Sequence, residues 1–353
     1  VSGAGGPDAA AGRAAGAGTA GAAAEAEAPQ LGYARAINQA LAEEMRRDER
    51  VWMLGQDVGR MGGVFGVTRG LYDEFGAGRV RDTTLNETFI VGAAAGAAMT
   101  GTIPVAELQF ADFMLIAGDE VFHKMAKWRY MHGGRLAVPM VLRLPTGVLG
   151  GVGAEHSQSL EALGMHFPGL KVALPATPAD AKGLLKTAIR DPNPVLFFEH
   201  KGMYRVKGPV PADPEFTVPF GEAAVRRRGA HATVVATGLM VPRALEAAEA
   251  LAAEGIELEV IDPRTLVPLD METIVGSVER TGRALVVQEA VRTAGAGAEI
   301  AARIQEAAFF ALDAPVWRLG ALDTSIPQSP DLEQLVIPST DDIAAAAKEL
   351  VGI

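Results

Sequence analysis

Between Thr88 and Ala106 the chain carries no charged residue, and most of the segment is Gly, Ala, Val, Ile or Met. Such a run can hardly be anything but buried. It follows directly on DTTLNE, Asp82 to Glu87, which puts a carboxylate at the mouth of a buried element. A carboxylate at such a boundary loses hydration, a reason to suspect chemistry there. The plainer reading is an acid in the first turn of a helix, with Asn86 as N-cap and the helix dipole favouring the charge. The run also raises the question of a membrane span, which is rejected. Gly92, Gly96 and Gly101 break it up, Pro104 ends its helical part, and Ala is a weak membrane residue. Gly92 and Gly96, four apart, share a helix face and let a neighbouring backbone approach. The segment reads as a buried helix over 87–100, then a strand at Ile103–Leu108.

The composition narrows the classes further. A chain of 353 residues is long enough for two domains with their own cores. A formal net charge of -11 without a Lys/Arg run excludes a general nucleic-acid binder. The absence of cysteine removes disulfides, thiolate nucleophiles and Cys-based metal sites, and it fits a reducing compartment. No pair of the six histidines has zinc-ligand spacing with an adjacent Glu, so a catalytic zinc is not expected. Residues 1–29 are Ala/Gly-rich low complexity. They offer too little apolar surface to offset ordering entropy and read as a disordered tail, neither signal nor transit peptide. The chain is expected to be cytoplasmic.

From Tyr33 onward helix and strand patterns alternate. Helices are expected at Tyr33–Asp48, Ala111–Tyr130 and Pro178–Arg190, and strands at Val51–Leu54, Pro139–Leu144, Lys171–Leu174 and Val195–Glu199. Gly59–Gly70 is a Gly-rich loop. Four prolines between Val206 and Pro219 mark a linker over 206–220. A second unit follows, with strands at Ala232–Thr237, Leu258–Asp262, Ala284–Gln288 and Val316–Leu319. Its helices are expected at Val241–Glu254, Met271–Thr281, Glu299–Leu312 and Thr340–Val351. The fold class is therefore α/β: two αβα domains, 30–205 and 221–353, with mostly parallel sheets.

Taken singly, the remaining motifs are weak. The loop from Gly150 ends in His156, and a lone loop His is more often hydrogen-bonded than catalytic. Phe110 and Phe113 are either core or the wall of a flat-ligand site. Gly295-Ala-Gly297 before a helix is a tight turn or a weak anion signal. No Rossmann fingerprint follows an early strand, and no P-loop and no GxSxG are present.

Together the motifs form an ordered series: GQDVGRMGG (55–63), DTTLNE (82–87), KWRYMHGG (127–134), AEHSQSLEA (154–162), FFEHK (197–201), IDPRTLVPLD (261–270), GAGAEIAARI (295–304) and DTSIPQSPDLE (323–333). This series resembles the beta subunit of the thiamine-diphosphate-dependent decarboxylating component of 2-oxoacid dehydrogenase complexes, of the pyruvate, acetoin and branched-chain type. The resemblance covers some 320 residues and implies a pyrimidine-binding domain followed by a transketolase C-terminal-like domain. It implies that an alpha subunit, in an α2β2 heterotetramer, holds the diphosphate and Mg2+, since this chain has no GDG…N motif. Glu87 falls on the glutamate that hydrogen-bonds the cofactor's aminopyrimidine, and Phe113 on the aromatic stacked against it, with Leu85 and Gln109 nearby. His156 falls on the active-site histidine at the substrate mouth, which serves proton handling or acyl transfer to lipoyl. A monovalent cation such as K+ is implied on the backbone carbonyls of Met140, Ala188, Ile189, Asp191 and Asn193. The implied partners are a lipoyl acyltransferase core and a small 2-oxoacid or acetoin. The alternatives are a branched-chain 2-oxoacid, a carboligase outside any complex, or a non-catalytic subunit. Many relatives carry Glu where this chain has Gln56, on a buried polar path between paired sites. Gln keeps hydrogen bonding there and cannot relay a proton.

Overall fold

The computed structural model describes residues 28–353, so nearly all of the expected Ala/Gly-rich tail lies outside the described residues. The strands, in chain order, are β1 Gln30–Gly32, β2 Val51–Gly55, β3 Val80–Asp82, β4 Ile103–Glu107, β5 Val141–Thr146, β6 Lys171–Ala173, β7 Val195–His200 and β8 Lys207–Pro209. They continue with β9 Ala224–Arg227, β10 Ala232–Ala236, β11 Leu258–Asp262, β12 Thr265–Val267, β13 Ala284–Val291 and β14 Trp317–Ala321.

The first sheet has the order β12-β6-β7-β5-β4-β2-β3, and every pairing except that of β12 is parallel. Parallel strands need crossovers, which put helices on both faces and bury the strands. β5 and β7 are buried along their whole length. Because the strands run one way, the loops that follow β2, β3, β4, β5 and β7 all emerge at one edge, where ligands bind in sheets of this kind. The second sheet has the order β14-β13-β10-β11-β9, with only β9 antiparallel.

Helix Glu87–Met99 forms where the charge-free run requires it. Asn86 caps it by accepting from the Phe89 N–H at 2.9 Å. Thr177 caps Pro178–Arg190 in the same way, with Pro at the first position where its missing N–H costs nothing. The single helix expected over Ala111–Tyr130 is broken. A 3-10 turn at Ala111–Leu115 precedes a π turn at Glu120–Met125, which runs into the α-helix Ala126–Met131. In a 3-10 turn residues three apart eclipse. That geometry brings Phe110 and Phe113 onto one side, with ring centroids 5.6 Å apart. The helix expected from Glu299 begins instead at Ala296, with Gly295 as its N-cap. The Gln288 side chain takes up the Gly297 N–H, so the glycine pair serves close packing and not anion binding.

The stretch expected to be a linker is partly ordered into β8, which pairs antiparallel with β1. The two units are joined by more than chain continuity. β12 comes from the second unit and forms the edge of the first sheet. Leu174 N–H donates to the Arg264 carbonyl at 2.9 Å, and Arg226 bridges Asp180 and Asp262. The apolar core runs across the junction, with Val141 and Phe197 in the same cluster as Val234 and Leu285. No helix among the described residues is long and apolar enough to cross a membrane.

Such a junction predicts that the chain unfolds as one unit. Trp52 and Trp128 report on the first unit and Trp317 on the second, and Trp317→Phe isolates the first signal. Urea unfolding followed by the two signals is expected to give superimposable transitions. Two separated midpoints would show units that are stable independently.

Candidate active site

The residues expected to carry chemistry emerge at the carboxyl edge of the first sheet. Glu87 follows β3, Gln109 and Phe113 follow β4, and His156 follows β5. Glu87 is 7% exposed, and its carboxylate accepts no hydrogen bond from the described residues, although its neighbours Leu85 and Phe89 are exposed. Neither oxygen is among the buried polar atoms left without a partner, so the carboxylate is open to a group from outside the chain. Gln109 donates to Asp57 Oδ2 at 3.2 Å, which ties the end of β4 to the Gly-rich loop after β2. Gln56 is half-buried and forms no side-chain hydrogen bond with the described residues.

His156 packs edge-on against both aromatics, with ring centroids 4.6 Å from Phe110 and 5.4 Å from Phe113. Phe65 meets Phe110 at 5.8 Å, and the Lys201 Nζ lies 5.4 Å from the centroid of the same Phe110 ring. The structure thus brings Phe113 and His156 together, whereas Glu87 and Leu85 stand on a separate loop of the same edge. A depression of about 870 Å3, lined in part by Val64, Phe65, Arg69, Leu149 and Lys201, opens beside this group. It is of the size that holds small ligands.

Several residues of the site had no role assigned from the sequence, although Gln158, Ser159, His200, Lys201 and Glu333 lie within the motif series. The loop from Gly147 to Gln158 is closed at its base, where Gly147 N–H and Thr146 Oγ1 both donate to the Gln158 carbonyl. Asp112 accepts from the Gln158 backbone and side-chain N–H groups at 3.2 and 2.9 Å. Glu289, on β13 of the second unit, accepts from Val148 N–H at 3.1 Å and Ser159 Oγ at 3.0 Å. Its other oxygen meets His200 Nε2 at 2.6 Å. Gly202 N–H donates to His200 Nδ1, so Nε2 carries the hydrogen that faces Glu289. Burial raises the Glu289 carboxyl, but His200 and the Ser159 and Val148 hydrogen bonds outweigh it and hold it below its ordinary value. Glu333, also from the second unit and fully buried, accepts from Gly150 and Gly151 N–H groups, each at 2.9 Å. Lys201 is buried with no hydrogen-bond partner for Nζ. Burial lowers its pKa to about 8, with Asp112, Glu289 and Glu333 acting in the opposite direction. Gly147 has a φ of 78°, and a Cβ there would collide with His200 and Glu289.

Beneath the edge, Arg143 is buried in the middle of β5 and is held by Glu107 and by Glu199 at 2.6 Å. Tyr204 donates to Glu199 at 2.9 Å. Removing one partner from such a buried pair costs about 3–5 kcal/mol. The five carbonyl positions expected to hold a cation lie at the opposite, amino-terminal edge. Met140 O accepts from Val195 N–H at 3.0 Å and Ala188 O from Asp191 N–H at 3.3 Å. Asp191 also accepts from Asn193 N–H at 2.8 Å and pairs with Lys171. Each carbonyl has a second lone pair, so these bonds are compatible with a cation. Among the described residues no group of three or more His, Cys, Asp or Glu is arranged to hold a metal.

Residues 30–207 match the family model for the transketolase pyrimidine binding domain, and residues 221–343 that for the transketolase C-terminal domain. The chain is 48% identical over 324 residues to the 2-oxoisovalerate dehydrogenase subunit beta of Bacillus subtilis, covering 91% of this chain and 98% of that one. It is 48% identical over 332 residues to the acetoin:2,6-dichlorophenolindophenol oxidoreductase subunit beta of Cupriavidus necator, with the same coverage. It is 44% identical over 324 residues to the pyruvate dehydrogenase E1 component subunit beta of Bacillus subtilis, covering 91% and 99%. A solved split-gene transketolase, described as an inactive beta4 tetramer, superposes with a TM-score of 0.73 at 24% identity, over 91% of this chain and 99% of that one. That likeness concerns the fold alone.

Glu161, directly after the His156 loop, is buried with Oε2 unpaired. Burial, with Glu289 adding to it, raises its carboxyl to about 7. A raised acid contributes stability that is full below the unfolded value and is lost as pH rises through the folded one. Glu161→Gln is therefore expected to leave stability nearly unchanged at pH 4.5 and to raise it by ~3 kcal/mol or less at pH 8. Thermal melts at the two pH values check this, and an equal effect at both would contradict it.

Proposed function

Because the chain belongs to the transketolase-type beta-subunit family of 2-oxoacid and acetoin dehydrogenases, we propose that it is the beta half of such a component, active only with an alpha subunit. The observation that carries this reading is the Glu87 carboxylate, with no hydrogen-bond partner among the described residues, at the same sheet edge as Phe113 and His156. Thiamine diphosphate, when bound, supplies the carbanion chemistry that decarboxylates a 2-oxoacid or cleaves acetoin. Glu87 would hold the pyrimidine end of the cofactor, where its carboxyl could exchange a proton with it. Phe113 gives the ring a flat wall, with Leu85 and Gln109 beside it. His156 stands at the mouth, where it handles protons as the acyl unit passes to a lipoyl group.

This chain provides no diphosphate cradle at Gly118-Asp119, which Glu120 follows, so the diphosphate and Mg2+ belong to the alpha subunit in an α2β2 assembly. Leu85 and Phe89, 69% and 55% exposed beside Glu87, fit a surface that the partner covers. K+ on the carbonyls of Met140, Ala188, Ile189, Asp191 and Asn193 is structural in this account, since they sit at the edge away from Glu87. The substrate is a small 2-oxoacid or acetoin. A branched-chain acid and a carboligase reaction are the alternatives, and transfer to a lipoyl domain separates the dehydrogenase from the carboligase.

The test is reconstitution with the alpha subunit and a lipoyl domain, assayed across a panel of 2-oxoacids and acetoin. Glu87→Gln keeps the shape and removes the exchangeable proton. It is expected to lower acyl transfer by at least ~100-fold with assembly intact. Near-normal turnover in that variant would sink the assignment.

A further inference from the structure

We infer that Glu333 and Glu289 are positioning residues for His156: two carboxylates of the second unit that clamp, through backbone N–H groups, the loop on which the histidine stands. The inference rests on the role proposed above for His156. Between Gly147 and Ser159 this loop contains Gly147, Gly150, Gly151 and Gly153, all at positive φ, a backbone with little stiffness of its own. Its working shape must come from outside it. Glu333 supplies a bidentate hold on the outgoing arm, at Gly150 and Gly151. Glu289 takes one group at each end, Val148 N–H and Ser159 Oγ, and is itself fixed by His200. Asp112, next to Phe113, takes the third point at Gln158. Six donors within the loop region thus face three carboxylates, and the histidine lies between the anchored points.

The charges are arranged for this purpose. Glu289 and Glu333 are buried, which is unfavourable for carboxylates unless each oxygen is satisfied. Each Glu333 oxygen meets a backbone N–H, and each Glu289 oxygen at least one donor. Lys201, buried and without a hydrogen-bond partner, supplies a positive charge near Asp112, Glu289 and Glu333. Its Nζ lies over Phe110, the ring against which His156 packs. Charge-assisted bonds of this kind hold a backbone more firmly than neutral ones. The consequence is that the docking of the second unit sets the position of a side chain in the first unit's active site.

A double-mutant cycle in the holoenzyme with its alpha subunit tests this. Glu333→Ala is expected to lower kcat for lipoyl-domain acylation by about 10- to 100-fold, the range for a displaced group, with KM for the 2-oxoacid little changed. The same substitution in a His156→Ala background is expected to cost less than about 2-fold, because the group being positioned is gone. Undiminished loss in that background would overturn the inference. Glu333→Gln, which keeps the volume and one acceptor oxygen, should restore part of the rate, and it replaces Glu333→Ala in the cycle if that variant does not assemble. Independently of activity, hydrogen exchange at the amides of 147–159 should speed up by about 10-fold or more in Glu333→Gln. Unchanged exchange there would refute the clamp. A His156→Ala variant with full activity, alongside accelerated exchange, would instead fault the catalytic role given to His156 and leave the clamp standing.

Discussion

One carboxylate connects the two halves of the molecule to the chemistry between them. Glu289 projects from β13 of the second unit and is bonded to His200 at the end of β7 and to both ends of the loop that follows β5. With Glu333 at Gly150 and Gly151 and Asp112 at Gln158, this contact anchors the loop. Glu289 is buried, so losing these donors would leave a buried carboxylate unsatisfied. The loop can therefore be rich in glycine and still present one side chain in one place. Glycine is also required there, since at Gly147 any Cβ would collide with the pair that anchors the loop.

The parallel sheet explains why the site lies where it does, and why it is half a site. Five strands running one way deliver Asp57, Glu87, Gln109, Phe113, His156 and Lys201 to a single edge. Arg143, with Glu107 and Glu199, fixes β4, β5 and β7 to each other just beneath that edge. What the edge offers is a carboxylate, an aromatic wall and a histidine. Its rim exposes Leu85 and Phe89, and an exposed apolar rim fits the alpha-subunit partnership of this family.

Local pattern made much of the fold legible. The charge-free run after Glu87 is the expected helix, although this chain buries only one of its faces and packs nothing on Gly96, and Pro178–Arg190 was bounded by its own Thr cap and Pro start. Glu87 and His156 stood out as members of an ordered motif series, and Phe113 only through the resemblance that the series carries. Features set by tertiary contact were not legible. β12 is three residues long and pairs outside its own unit, so no periodicity marks it. The π turn at Glu120–Met125 changes hydrogen-bond register without changing the apolar pattern. Glu289 lies in a strand and Glu333 in a short helix, each resembling an ordinary acid until the fold brings it to the loop. Lys201 could be recognised only once its burial and its place over Phe110 were known.

The central claim is that this chain holds one end of a cofactor whose other end belongs to a different subunit. Calorimetric titration of thiamine diphosphate into the isolated chain, and into the chain assembled with its alpha subunit, tests it most directly. The account predicts weak binding to the isolated chain and tight, Mg2+-dependent binding to the assembly. Tight, Mg2+-dependent binding to the isolated chain would contradict it.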